Sequence, residues 1–198
     1  MGKADTSGVL QNVTVTGGSG NDTFALFDAI QAADSLNGGA GTDTLILNGT
    51  NNAAGANGSI ASVAQSIETV SMLSDGIAMA ADFDFLPDVT GVVVRNVGNA
   101  AGVNVADAAV SFSLTDLTVA QAAGITVQHS TTGNNQIANT TIEAAVKANT
   151  AADTLGVTIA EGTNVDPRFN FTIDTVVAAT ATAPTAAAST FENVTLTD

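Results

Sequence analysis

The residues of this chain that could do chemistry are aspartates and glycines recurring at fixed offsets. Gly17-Gly18-Ser19-Gly20-Asn21-Asp22-Thr23-Phe24-Ala25 and Gly38-Gly39-Ala40-Gly41-Thr42-Asp43-Thr44-Leu45-Ile46 both satisfy G-G-x-G-x-D-x-U-x, with U a large apolar residue. That is the calcium-binding nonapeptide of parallel β-rolls. Its residue types suit the task. Glycine lets a tight turn take positive φ and aim carbonyl oxygens inward. Aspartate closes the turn with a hard anionic oxygen, the donor that calcium prefers. A lone glycine is an ordinary turn residue and a lone aspartate an ordinary turn cap. Three glycines and an aspartate repeated at identical offsets ask for more than that.

Positioning such turns requires short strands. In a β-roll the G-G-x-G-x-D segment is the turn and x-U-x the strand, and an ion lies between turns i and i+2 on one side of the coil. The two motifs start 21 residues apart, where two consecutive nonapeptides would give about 18. Between them, Asp34-Ser35-Leu36 resembles a degenerate D-x-U strand, twelve residues after Asp22 and nine before Asp43. The spacing predicts turn 17–22, a distorted turn near 28–33, and turn 38–43, with the two full motifs facing each other. On the opposite side Asp28, Asp34, Asn48 and Asn52 are candidates for a weaker second metal site.

The composition fits many short strands. Hydrophobic residues make up 45% of the 198, aromatic residues only 4%, and there are 19 glycines with no Trp or Tyr. Such a length can bury a sizeable core. Four basic residues face 19 acidic ones, a net charge of −15. That argues against nucleic acid, whose phosphates demand basic clusters. It suits either a solvated acidic surface or partial neutralisation by divalent cations. Without cysteine there are no disulfides or thiolate metal sites. No run approaches 18 apolar residues, so no membrane insertion is expected. Met1-Gly2-Lys3 is followed by no apolar h-region, and Phe191–Asp198 stops within a strand-like pattern. The expectation is export without a cleavable signal, or an excised fragment of a longer chain.

Further strands are expected at Leu10–Val15, Ile67–Leu73, Gly91–Val97, Ala109–Leu114, Gly124–Gln128, Leu155–Ala160, Ile173–Val177 and Phe191–Leu196. Their irregular spacing and the scarcity of hairpin dipeptides favour a parallel β-helix over a sandwich. Residues 53–64 and the low-complexity 178–189 read as loops. A helix is expected at Thr141–Asn149, with Ile142, Ala145 and Val146 on one face and Glu143 four residues before Lys147. A shorter helical turn is expected at Val119–Ala123, stopped by Gly124. The fold class is thus all-β, a parallel β-solenoid (β-roll or β-helix) with short helical insertions. Residues 1–52 form a calcium-binding β-roll segment, and 53–198 continue the solenoid.

Catalytic signatures are sparse. His129 is the only histidine, so neither a histidine metal cluster nor a triad can be assembled around it. Asp82-Phe83-Asp84 offers two carboxylates, either an acid/base pair or a solvated, cation-binding one.

Asn21-Asp22-Thr23-Phe24, Asp34 to Leu45, and Ser66-Ile67-Glu68-Thr69-Val70 together resemble RTX-type surface-layer proteins of Gram-negative bacteria and related large RTX adhesins. The resemblance is specific over residues 12–73 and compositional beyond. It implies type I secretion to the cell surface, calcium-dependent folding, and self-association into a lattice or stalk with further copies or neighbouring domains. Cell-surface polysaccharide is a further partner class. It also implies a ligand set: carboxylates of Asp22 and Asp43, with backbone carbonyls in the turns bearing Gly18, Gly20 and Asn21, and Gly39, Gly41 and Thr42. The chain departs from the family in having two full motifs rather than an array, which implies one calcium site. The expected function is structural, not enzymatic. The alternatives are a β-helical polysaccharide-active enzyme domain, for which basic groove residues and aromatic platforms are scarce, and a carbohydrate-binding adhesin module.

Overall fold

The computed structural model of the chain describes residues 14–26, 34–48, 63–74, 77–96, 110–129, 137–148, 153–160, 168–175, 191 and 193–197. Within them lie β1 (Thr14–Thr16), β2 (Thr23–Leu26), β3 (Ser35–Asn37), β4 (Thr44–Asn48), β5 (Ala64–Gln65), β6 (Thr69–Ser74) and β7 (Met79–Asp82). A 3-10 turn, Phe83–Phe85, leads to β8 (Gly91–Asn96) and β9 (Val110–Leu117). The helical turn α1 (Val119–Ala122) precedes β10 (Ile125–His129), β11 (Ile137–Val146), β12 (Thr154–Ala160), β13 (Arg168–Thr175) and β14 (Asn193–Thr197).

Every described pairing is parallel, and each joins strands two places apart in the chain. The even strands form one seven-stranded sheet, β14-β12-β10-β8-β6-β4-β2. The odd strands form two shorter ladders, β1-β3-β5 and β13-β11-β9-β7. The chain therefore alternates between two sides as it advances, which makes it a parallel, solenoid-like all-β fold.

The register stacks like on like. Phe24, Leu45, Val70, Val92, Ile125, Val157 and Leu196 follow one another across the seven-stranded sheet. All but Leu196 are buried. Met79, Phe112 and Ile142 do the same on the other side. The period-two alternation of a strand sends one set of side chains inward and leaves the alternate set, such as Ile46, Ser71, Leu73, Val93 and Arg95, half-buried on the other face. At the end strand β14, Val194 and Leu196 are 54% and 57% exposed.

The expected helix at 141–149 is a strand. Ile137–Val146 pairs with β9 on one edge and β13 on the other. Ile142, Ala144 and Val146 are buried at alternate positions, with an irregularity at Ala145. Ladders on both sides outweigh the helix propensity of Glu143, Ala144 and Ala145, which is worth only tenths of a kcal/mol per residue. The proposed Glu143–Lys147 pair goes with the helix, because the Lys147 ammonium instead meets Asp84. The loop expected over 53–64 also yields at its end, where Ala64 begins β5. Residues 53–62 of that loop and the one at 178–189 lie outside the described residues.

The helical turn at 119–122 is present. Thr118 and Gln121 form its capping box, each side chain bonding the other's backbone N–H. The Gln121 amide also donates to the carbonyls of Leu86 and Val89, at 3.2 and 2.9 Å, and so ties this corner to the coil before it. Among the described residues no helix is long and apolar enough to cross a membrane.

Candidate metal centre

The two nonapeptide turns connect the sides of adjacent coils. Turn 17–22 joins β1 to β2, and turn 38–43 joins β3 to β4. Thr14 pairs with Ser35 and Thr23 with Thr44, each 21 residues on. The motifs are thus one coil apart at the same edge, in the arrangement their spacing predicts.

Their contacts are backbone-dense. Ala40 N–H donates to the Gly18 carbonyl at 3.0 Å, and Thr44 N–H to the Asp22 carbonyl at 2.9 Å. Thr42 N–H donates to Asn21 Oδ1 at 2.9 Å. Asp22 N–H donates to Asp43 Oδ1 at 2.7 Å. Glycine is required where the coils touch. A Cβ on Gly39 or Gly41 would fall inside 3.0 Å of the Gly18 or Gly20 carbonyl oxygen, and both residues have positive φ, 99° and 136°. Thus Gly18, Gly20, Asn21, Asp22, Gly39, Gly41, Thr42 and Asp43 form one stacked pair of turns with carbonyl and carboxylate oxygens directed from coil to coil.

The two aspartates are not equivalent. Asp22 Oδ2 accepts the Gly18 N–H at 2.7 Å. In the second copy the corresponding Gly39 N–H donates to Asn37 Oδ1 at 2.9 Å. Asp43 is 0% exposed, and its Oδ2 has no hydrogen-bond partner.

A third turn, which lacks the glycines of the nonapeptide, continues the column. Ser66-Ile67-Glu68 joins β5 to β6, three residues where the glycine turns have six. Glu68 Oε2 accepts the Asp43 N–H at 2.7 Å, as Asp43 accepts that of Asp22. One coil further, Asp88 Oδ2 accepts the Ser66 N–H at 2.8 Å. The signal was present in the sequence: Asp22-Thr23-Phe24, Asp43-Thr44-Leu45 and Glu68-Thr69-Val70 are the same acid-Thr-apolar step. Without its glycines the third reads only as a strand opening.

The weaker second site is only partly placed. Asp34 precedes β3 and Asn48 ends β4, both at the edge opposite the glycine turns. Asp34 is buried, Asn48 is half-buried, and both have bonding partners. Asp28 and Asn52 lie outside the described residues.

A separate acidic group joins Asp82 and Asp84 to Asp116, with one carboxylate oxygen from each inside 4.8 Å of the others. The Asp82 side chain caps the Asp84 N–H at 2.9 Å, and Lys147 forms an exposed ion pair with Asp84. Burial, then the charges of Asp82 and Asp84, push the Asp116 carboxyl above its usual range, against the pull of Lys147. The hydrogen bond and charge of Asp84 push Lys147 up in turn. Sequence spacing could not join Asp116 to this group; the parallel pairing of β7 with β9 does so. His129 is the last residue of β10.

Comparison with known protein families, with curated proteins and with solved structures finds no match for this chain.

Proposed function

We propose that this chain is a structural segment of a cell-surface protein, a surface-layer component of the RTX type, whose first coils are pinned by calcium. The observation that carries this reading is the stacking of two identical Gly-Gly-x-Gly-x-Asp turns in register at one edge. The donor set is all oxygen: the carboxylates of Asp22 and Asp43 and the carbonyls of Gly18 and Gly20. Hard oxygens of this kind suit calcium. The Gly18 carbonyl and Asp43 Oδ1 accept N–H groups of the facing turn and Asp22 Oδ2 accepts one from its own turn, so calcium would exchange for some of those hydrogen bonds.

Such an ion would tie the β1–β2 coil to the β3–β4 coil. A ligand that binds only the folded chain stabilises it by about 2.7 kcal/mol at one hundred times its dissociation constant. In a chain of net charge −15 it would also relieve self-repulsion. Extracellular location, type I secretion and lattice self-association follow from the RTX resemblance and belong to the same proposal.

Calcium titration of Asp43→Ala tests the site, and the expected result is weaker binding with looser packing of β1–β4. Negative-stain microscopy of the wild type with added calcium tests assembly, with sheets or filaments expected. Unchanged calcium affinity in the variant would remove the site, and monomers at all calcium concentrations would remove the lattice.

A further inference from the structure

We infer that a second cation, of the hard divalent class, is held one coil beyond the glycine turns, by Asp43 Oδ2, the Ser66 carbonyl and the Glu68 carboxylate. The proposal shares Asp43 with the site between turns 17–22 and 38–43 but concerns a different gap, the one between turn 38–43 and the short turn 66–68.

The first ground is the comparison of the two motif copies. Asp22 Oδ2 is satisfied by Gly18 N–H. The matching donor in the second copy, Gly39 N–H, is turned to Asn37 Oδ1. Asp43 Oδ2 is left fully buried with no donor, while Oδ1 already serves Asp22 N–H. A buried carboxylate oxygen left in that state is costly unless a positive charge or a proton meets it.

The second ground is where that oxygen lies. Asp43 Oδ2 and the Ser66 carbonyl oxygen crowd the same space beside Gly38: a Cβ there would fall inside 3.0 Å of both. Two acceptor oxygens with no donor between them repel. They attract only through something positive.

Further negative charge converges on this turn. Glu68 Oε2 takes the Asp43 N–H at 2.7 Å, and Asp88 Oδ2 takes the Ser66 N–H at 2.8 Å. Among the described residues the one salt bridge is Lys147–Asp84, so no basic side chain answers Asp43 or Glu68. Two carboxylates and a carbonyl, without nitrogen or sulfur ligands, match a hard cation such as calcium rather than zinc.

The experiment counts calcium ions bound per full-length chain by equilibrium dialysis, for wild type, Glu68→Gln and Asp22→Asn. Glu68→Gln is expected to lose one ion relative to wild type, and Asp22→Asn to lose a different one while retaining the ion that depends on Glu68. A Glu68→Gln count equal to wild type overturns this proposal. If Asp22→Asn still loses an ion in that case, the glycine-turn site stands alone. If only Glu68→Gln loses an ion, the glycine-turn site falls and this one stands. No calcium bound to wild type overturns both. Circular dichroism first checks that each variant is folded. If Glu68→Gln is not, anomalous diffraction from wild-type crystals grown with calcium decides: a peak within about 2.3–2.6 Å of Asp43 Oδ2 and Glu68 supports the site, and an empty map there overturns it.

Discussion

Alanine at Gly38 and alanine at Gly20 should move the melting temperature in opposite directions, although both glycines belong to the same motif. A Cβ on Gly38 would collide with the Ser66 carbonyl oxygen, Asp43 Oδ2 and Asp43 Cβ. None can yield cheaply. The first is backbone, and Asp43 is held through its N–H by Glu68 and through Oδ1 by Asp22 N–H. Overpacking of this kind costs about 1–3 kcal/mol. Displacing the strand end also strains the Gly38 N–H bond to the Gln65 carbonyl, now 2.9 Å, worth about 1 kcal/mol. The sum is roughly 2–4 kcal/mol, a fall of roughly 5–15 °C for a chain of this size. Gly20 differs: a Cβ there meets nothing within 4 Å, and its φ is not positive. Alanine at that position restricts the unfolded chain and should add about 0.4–1 kcal/mol. Thermal melts followed by circular dichroism, in calcium-free buffer so that packing alone is measured, give both numbers. If the two variants melt together, the close approach of the second and third turns at Gly38 is wrong, and with it the stacking on which the metal sites rest.

Gln121→Leu should cost about 2–4 kcal/mol, because it takes the amide donor from the Val89 carbonyl, one of two donors from the Leu86 carbonyl, and the acceptor that caps Thr118 N–H; a urea midpoint that does not fall would refute this. Phe112→Ala, at a fully buried position in the β9 column, should cost about 3–5 kcal/mol by the same assay. Asp116→Asn should stabilise the chain at neutral pH but not in acid. The folded chain raises the Asp116 pKa from 3.8, mainly through burial. A raised carboxyl contributes stability that is present below 3.8 and lost as pH rises through the folded value. At pH 7 the ionised group is therefore a liability, and amidation removes it. Urea melts at pH 7 and below pH 3.8 should show the gain only at the former.

Much of the coil was legible in the sequence. The spacing between Asp22 and Asp43 placed the two turns at one edge because side, turn and strand lengths are tightly coupled in a parallel roll. Strands such as Gly91–Asn96 and Thr154–Ala160 showed their period-two alternation openly. Ile137–Val146 did not, because Ala and Glu carry little strand signal of their own, and its identity is set by neighbours on both sides. Ala64-Gln65 and Met79–Asp82 carry little strand signal because they are short and contain no β-branched residues. At the site, the glycines announced the first two turns, but Glu68 was hidden: its carboxylate does the work of Asp43 from a turn half as long. The loss of a donor at Asp43 Oδ2 depends on the direction of one backbone N–H at Gly39, which no residue pattern records.

The most direct test of the central claim is scanning calorimetry of the full chain with calcium and with excess EGTA. Pinning of the glycine turns predicts a melting temperature that rises with calcium concentration and falls when EGTA is added, with the dependence weakened in Asp43→Ala. A melting temperature identical under both conditions would contradict it.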